Sequence, residues 1–314
     1  MLRIAIRRLR QRACFHRSFE LISFPDLHSS IQDEQTNCYC QKINAKLPST
    51  TDPLNPQLKL PQKTPNYSKH VLLLSPGDKF AQPWKVAWNH NLDTNLNRPY
   101  NAIKKLRSSL SDSPGILINA VHLQNEFIPR PKGNNEWLYF FVIPDMKLYI
   151  IKETNIEEFA SFLHEGVFQA PRLSFQDYLS GKAKVAPHVQ HVHRKNLTRF
   201  HGETFLRDWN LVCGHFKRDE KCGEMGPDII KAFQDENLLS ENNLAIISHV
   251  GGHIFAGNVI FYKLFGGGDG GSAQSKLDSL WFGKVYPHNL KLLCENLENG
   301  RIIDEMYRGG ISMN

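Results

Sequence analysis

Two short stretches of the chain carry four residues of the types that bind metals. Cys213 and Cys222 are separated by eight residues, and His249 and His253 are separated by three. Thiolates and neutral imidazoles are the protein donors of zinc sites and of some iron–sulfur clusters. A four-residue step usually places two histidines on one face of a helix. Here two glycines lie between them, and each would weaken a helix by about 1 kcal/mol. The pattern therefore predicts a turn.

Two predicted strands should bring these residues to one edge of a sheet. Residues 208–215 form a predicted strand that carries Cys213 near its end, and residues 243–250 form one that carries His249 near its end. A helix is predicted between them at 226–238. In a βαβ unit the neighbouring strands are parallel, so their carboxyl ends lie at the same edge. The two residues are expected to meet there.

The remaining two candidate ligands are expected in the loops that follow these strands. Cys222 lies in the polar stretch 218–225, which is predicted as a loop, and His253 follows the glycine turn. Gly251 and Gly252 would let the backbone wrap closely around a bound group and point N–H groups inward.

Two bound groups suit two cysteines and two histidines. One is structural zinc, which is tetrahedral and closed. The other is a [2Fe–2S] cluster with the ligand types of a Rieske centre. Zinc-finger cysteines are usually about two to four residues apart, so the longer Cys213–Cys222 gap favours the cluster. A third interpretation is a pair of core histidines beside unrelated cysteines, which leaves the gathering of four donors at two strand ends unexplained.

The other four cysteines have separate interpretations, and six in 314 residues do not make a dense disulfide scaffold. Cys14 lies in the basic N-terminal stretch. Cys38 and Cys40 are too close for a comfortable disulfide and are expected to be a solvated thiol pair, with a redox or metal-binding pair as the alternative. Cys294 recurs with leucines at helical spacing and is expected in the core.

The positive charge of the chain is concentrated at its N-terminus. Six of the 38 basic residues lie within residues 1–17, and the remaining 32 nearly balance the 31 acidic ones. This balance argues against a nucleic-acid partner. An arginine-rich, acid-free amphipathic start predicts a mitochondrial presequence at 1–20, read by the import machinery, and a protein of the matrix or intermembrane space. The alternative is an exposed basic helix or tail.

No apolar run reaches the roughly 18 residues of a membrane-spanning helix, so no membrane span is expected. Prolines and polar residues predict linkers at 21–69 and 171–200. The histidines of the second linker, His188, His191 and His193, are expected to be solvated. The glycine-rich stretch 266–272 lacks the Lys-Ser/Thr of a phosphate loop.

The order of predicted elements indicates an α/β fold with two thioredoxin-like halves, an N-terminal domain at 70–170 and a C-terminal domain at 201–314. In the first half, a hairpin is followed by a helix at 155–166. In the second half, the predicted order is strand, helix, strand, strand, strand, helix. The other predicted strands are 70–75, 115–123, 136–151 (a hairpin), 255–265 and 279–286, and the last helix is 288–300.

Over most of its length after the first linker, the chain resembles the sucrase/ferredoxin-like family. The resemblance is sharpest in "CGHFKRDEKCG" (213–223), "HVGGHIFAGNVIFY" (249–262), "LWFGKVYP" (280–287) and "YRGG" (307–310). It implies a thioredoxin-like ferredoxin domain in which an HxGGH motif replaces the CxxxC of ordinary thioredoxin-like ferredoxins. The implied cofactor is a bis-histidinyl, non-Rieske [2Fe–2S] cluster with Cys213, Cys222, His249 and His253 as ligands.

The function that the resemblance implies is one-electron transfer or redox control in mitochondria, with an unknown redox partner protein. No Ser-His-Asp set, carboxylate pair or nucleotide fingerprint stands out. An electron-transfer protein is therefore expected rather than an enzyme with its own substrate, and no catalytic residue is assigned. Two alternatives stay open: a thiol–disulfide oxidoreductase that uses Cys213 and Cys222 but lacks the CxxC of such enzymes, and a zinc-stabilised binding module.

Overall fold

The computed structural model describes residues 19–24, 29–75, 98–110, 115–129, 136–165, 200–216, 218–238, 241–265 and 276–313. The strands are β1 (Glu20–Ile22), β2 (Lys69–Leu74), β3 (Ile116–Leu123), β4 (Trp137–Ile143), β5 (Lys147–Lys152), β6 (Glu203–Thr204), β7 (Trp209–Cys213), β8 (Asn243–Ile247), β9 (Val259–Phe265), β10 (Lys276–Phe282), β11 (Arg301–Ile303) and β12 (Tyr307–Met313). The helices are α1 (Ser29–Asn44), α2 (Arg98–Ser109), α3 (Ile156–Glu165), α4 (Glu220–Asp235) and α5 (Pro287–Glu298).

The chain builds the same α/β unit twice. In the N-terminal unit the strand order is β3-β2-β4-β5, and in the C-terminal unit it is β8-β7-β9-β10. Each unit has one parallel pair, β2 with β3 or β7 with β8, and two antiparallel pairs beside it. The predicted α/β fold with thioredoxin-like halves is confirmed.

The two units share one ten-stranded sheet, which bends back on itself. β3 and β8 join them as an antiparallel pair, with Val121 opposite Ile247. Three strands separate β4 from β7 in the sheet. Even so, the rings of Phe141 on β4 and Trp209 on β7 lie only 4.7 Å apart. The inner faces of the two half-sheets therefore pack together, and the buried apolar side chains form one continuous core.

The segment expected to be a linker at 21–69 contains ordered structure that packs on the C-terminal unit. β1 pairs in parallel with β11, and Phe19 just before it is buried. Helix α1 packs on α4 and α5. After the helix, the Asn44 side chain donates to the carbonyl of Leu54 at 3.1 Å and accepts from its N–H at 2.7 Å. The many prolines exclude regular strands here, but they do not prevent packing.

The prediction that Cys38 and Cys40 are both solvated is wrong for Cys40. Cys38 is exposed, but Cys40 is buried. Both lie on α1, where residues two apart point in different directions. Burial raises the pKa of the Cys40 thiol above its ordinary value.

Helix α4 begins six residues before the predicted start, and this moves Cys222 from a loop into the first helical turn. Asp219 caps the helix, since its side chain accepts a hydrogen bond from the Cys222 N–H at 3.1 Å. The polar stretch 218–225 predicted a loop here, and the predicted helix began only at Gly226, with Pro227 in its first turn. Glycine here serves close packing: a Cβ at Gly226 would lie 3.0 Å from the Cα of Gly214.

Several other predictions shift in their bounds. β8 ends at Ile247, so His249 lies two residues beyond the strand. Helix α2 was not predicted; its buried face is supplied by Ala102, Ile103 and Leu106 in an otherwise polar stretch. The linker histidines, the glycine-rich stretch 266–272 and residues 1–18 of the predicted presequence lie outside the described residues. Among the helices that are described, none has the length and apolarity needed to cross a membrane.

Candidate metal centre

Three of the four candidate ligands converge where β7, α4 and the β8 exit meet. One donor atom each from Cys213, Cys222 and His249 lies within 4.8 Å of the other two. Cys213 is the last residue of β7, and Cys222 is in the first turn of α4. Both cysteines are buried, and His249 is half-buried. The βαβ argument therefore placed the first cysteine and the first histidine correctly relative to each other.

The fourth candidate, His253, lies beside this group on the solvent side. It begins a short 3₁₀ turn, His253–Phe255, and its side chain is exposed. Its ring centroid is 5.5 Å from that of His249, with the two planes at 42°. The site thus has a buried thiol side and an accessible imidazole side.

The two glycines between the histidines are both required by the turn. Gly251 has φ +83° and Gly252 has φ +71°, in the left-handed region that side chains disfavour. A Cβ at Gly252 would also lie 2.7 Å from the guanidinium of Arg308, whereas a Cβ at Gly251 would meet open space. The turn is therefore shaped by an arginine from the far end of the chain.

Asn258 connects the cysteine strand with the histidine turn. Its backbone carbonyl accepts from the Cys213 N–H at 2.9 Å, and its side-chain amide donates to the Gly252 carbonyl at 3.1 Å. Its Oδ1 accepts a 2.6 Å hydrogen bond from Arg308. Sequence reasoning assigned no role to Asn258 or Arg308. Both lie within the stretches that carry the family resemblance, but a lone amide or guanidinium has no spacing pattern that marks it.

The N-terminal unit holds the backbone of the histidine turn from the opposite side. The Asn119 side chain on β3 donates to the His249 carbonyl at 3.2 Å. Its Oδ1 accepts from Nε2 of His70 at 3.0 Å, so Nδ1 of His70 accepts from the Tyr262 hydroxyl at 2.6 Å. These side chains are fully buried between the half-sheets, and burial lowers the pKa of His70 to about 3. His70 is therefore neutral.

The pKa values of the two cysteines are shifted in opposite directions. A hydrogen bond from Cys222 lowers the pKa of Cys213 to about 5 against the opposing effect of burial, with a smaller contribution from His249. The same hydrogen bond and burial raise the pKa of Cys222 well above its ordinary value. Cys213 is therefore the more readily ionised of the two thiols, and a bound metal would displace the proton of Cys222 as well.

These residues fit a metal centre on two observations of the structure. Thiol and imidazole donors are gathered in one buried place, and Nδ1 of His249 is buried without a hydrogen bond to the described residues. A buried ring nitrogen without a hydrogen-bond partner is unfavourable by about 1–3 kcal/mol. Coordination to a metal would relieve this penalty. The donor set suits both zinc and a [2Fe–2S] cluster.

Comparison with known proteins supports the same family that the motifs indicate. The family model described as Sucrase/ferredoxin-like matches residues 60–309. Proteins called "Altered inheritance of mitochondria protein 32" match over the full length of both chains, at 79% identity in Saccharomyces cerevisiae and 77% in Saccharomyces kudriavzevii. No solved structure matches the chain. The relatives indicate a mitochondrial protein, and the chain belongs to the sucrase/ferredoxin-like family.

Proposed function

We propose that Cys213, Cys222, His249 and His253 bind a [2Fe–2S] cluster and that the protein acts in one-electron transfer or redox control in mitochondria. The observation that carries this proposal is the convergence of donor atoms of Cys213, Cys222 and His249 within 4.8 Å, with the His253 ring alongside. Membership of the sucrase/ferredoxin-like family supports iron over zinc, since the family resemblance implies this ligand set.

When bound, the cluster would supply reversible one-electron chemistry, and the protein would set its potential and its access. Two neutral imidazoles in place of thiolates leave less negative charge than four cysteines, which favours a higher reduction potential. The buried cysteines shield one side from solvent. His253 and its neighbour Ile254 are exposed, so a redox partner would approach from the histidine side.

Metal content after purification without oxygen tests the proposal directly. We expect about two iron and two sulfide per chain, with the visible absorbance of a [2Fe–2S] protein. One zinc per chain without iron would instead identify a zinc-stabilised binding module. If the purified protein contains neither iron nor zinc, the cysteines are free for thiol chemistry.

Two cysteine variants test the ligand assignment. Cys222→Ser should abolish cluster assembly, because a serine in the first turn of α4 removes a thiolate from the centre. Cys294→Ser is the matched control: Cys294 is buried on α5 and is absent from the donor group. Iron per chain and visible absorbance are measured for both. A full cluster in Cys222→Ser would refute the assignment.

One observation favours a second candidate function, a thiol–disulfide oxidoreductase. A Cys213 thiol of lowered pKa close to a Cys222 thiol of raised pKa is an arrangement from which disulfide exchange can start. The test is reduction of a small model disulfide by metal-free and metal-loaded protein. Ligation occupies both sulfurs, so the cluster proposal expects no turnover from loaded protein. Equal turnover by both forms would favour thiol chemistry as the function.

A further inference from the structure

Arg308 is a buried cation at the edge of the candidate centre. It lies on β12 and is only 6% exposed. Its guanidinium carbon is 5.8 Å from the ring centroid of Trp281, and its nitrogens lie against the glycine turn. A guanidinium stays charged at any physiological pH. The fold therefore fixes a full positive charge in its interior.

The immediate hydrogen-bond partners of this cation are neutral. Nη1 donates to Oδ1 of Asn258 at 2.6 Å and to the Gly251 carbonyl at 3.2 Å. Nε is buried without a partner, and no carboxylate among the described residues forms an ion pair with Arg308. A buried charge without a counter-charge is strongly unfavourable. Some other negative group is needed to balance it.

The two cysteines can supply that negative charge. Burial lowers the pKa of Arg308, and the charges of Cys213 and Cys222 act in the opposite direction. Asn258 joins the same groups physically, since it accepts from Arg308 through its side chain and from the Cys213 N–H through its carbonyl. Arg308 is thus placed to interact with charge that develops at the centre.

We propose that Arg308 compensates negative charge at the Cys213–Cys222–His249–His253 centre and thereby favours its reduced state. This proposal rests on the proposed cluster. Two thiolates and two neutral imidazoles leave an oxidised [2Fe–2S] centre without net charge, and one electron from a one-electron donor makes it negative. A fixed cation in a low-dielectric interior stabilises that negative charge. No proton or bond change is required.

An arginine serves this position better than a lysine would, because it also holds the turn. Its planar guanidinium reaches both the Gly251 carbonyl and Asn258. A lysine ammonium would keep the charge but lose part of this contact. The two variants Arg308→Gln and Arg308→Lys therefore separate the charge of the residue from its shape.

The deciding measurement is the reduction potential by film voltammetry of the full chain, with iron and sulfide determined in each sample. Arg308→Gln should shift the reduction equilibrium at least tenfold toward the oxidised state, which is 59 mV for one electron. Arg308→Lys should shift it by much less. Arg301→Gln is the control, since it removes the same charge from an exposed position on β11, and its potential should not change.

An unchanged potential in cluster-loaded Arg308→Gln would overturn the proposal. If Arg308→Gln holds no cluster, the lysine variant decides: a loaded lysine variant with a near-wild-type potential supports charge compensation. Loss of the cluster from both variants would assign Arg308 a role in shape alone and overturn the proposal. Absence of iron from the wild-type protein would be a different result, because it refutes the cluster itself.

Discussion

At the scale of single residues, the candidate centre depends on side chains that are not themselves candidate ligands. Asn258 ties the end of β7 to the glycine turn, and Arg308 packs against Gly252. The turn places the two histidines on one side because Gly251 and Gly252 both adopt left-handed backbone conformations there. The same spacing without the two glycines would favour a helix.

The two glycines of this turn should respond differently to alanine. Each substitution forces a left-handed conformation on a residue with a Cβ, at about 1–2 kcal/mol. Gly252→Ala also drives a methyl group to 2.7 Å from the Arg308 guanidinium, whereas Gly251→Ala meets no atom within 4 Å. We expect Gly252→Ala to lower both the free energy of unfolding and the iron content more than Gly251→Ala. Denaturant titrations and iron assays of the matched pair measure this, and equal losses would contradict the role of the arginine contact.

At the scale of elements, α4 is the part of the site that local sequence patterns misjudged. Glycines and a proline lower its helix propensity, yet the helix starts at Glu220 because Asp219 caps it. The Asp219 carboxylate also lies 3.8 Å from Nζ of the buried Lys221. Gly226 then lets the helix approach the end of β7 closely, and Gly223 lets its first turn, which carries Cys222, pack against Phe216.

Removing the cap should loosen Cys222 without replacing any of the four candidate ligands. Asp219→Ala should lower the free energy of unfolding by at least about 1 kcal/mol, because it removes the acceptor for the Cys222 N–H. It should also reduce iron retention. Asp219→Asn keeps an acceptor oxygen and should lose less. Urea unfolding followed by circular dichroism measures the effect, and a wild-type midpoint in Asp219→Ala would show that the cap is not needed.

At the scale of the whole molecule, the N-terminal unit supports a centre that its own described residues do not contain. The single donor group found among the described residues belongs to the C-terminal unit. The N-terminal unit contributes Asn119 and His70, which reach across the folded sheet to the His249 carbonyl and to Tyr262. The two thioredoxin-like units therefore work as one body around the site.

This buried connection should make stability depend on pH through His70. Burial lowers the pKa of His70 to about 3 in the fold, whereas an unfolded histidine titrates near 6.5. Above about pH 6.5 both states are neutral, so His70 has no pH-dependent effect there. As the pH falls from 6.5 toward 3, His70 becomes protonated in the unfolded chain but stays neutral in the folded chain. The free energy of unfolding therefore decreases by up to about 1.4 kcal/mol per pH unit.

Urea unfolding of metal-free protein between about pH 7 and 4.5 tests this dependence. As the pH falls, the free energy of unfolding of His70→Gln should decrease less steeply than that of wild type, by a slope that corresponds to nearly one proton. This holds even if the variant is less stable at neutral pH. His164→Gln is the control, since His164 is exposed on α3 and should keep the wild-type slope. An identical slope in His70→Gln and wild type would show that another group carries the acid sensitivity.

Local patterns in the sequence were sufficient for most elements of the two units, although α2 and β12 were not predicted. Alternating and buried apolar runs predicted the strands near 70–75, 115–123 and 208–215, and helical spacing predicted α3 and α5. Their order predicted the thioredoxin-like halves, because short connections and parallel crossovers leave few arrangements. The same reasoning selected Cys213, Cys222, His249 and His253, since ligand-type residues at strand ends can be recognised from type and position alone. Their ligation of iron stays a prediction.

Only the tertiary structure decided how the two units join and what surrounds the candidate ligands. The fold of the sheet at β3–β8, the packing of α1 from the expected linker, and the contacts of Asn258 and Arg308 all link residues distant in the chain. Arg308 meets Gly251 across 57 residues, and Asn119 meets His249 across 130. Sequence periodicity does not predict such contacts, because the partner of an amide or a guanidinium is set by how separate elements pack together. Local propensity sets what each segment forms, and the burial of apolar faces between segments sets which polar groups must then find one another.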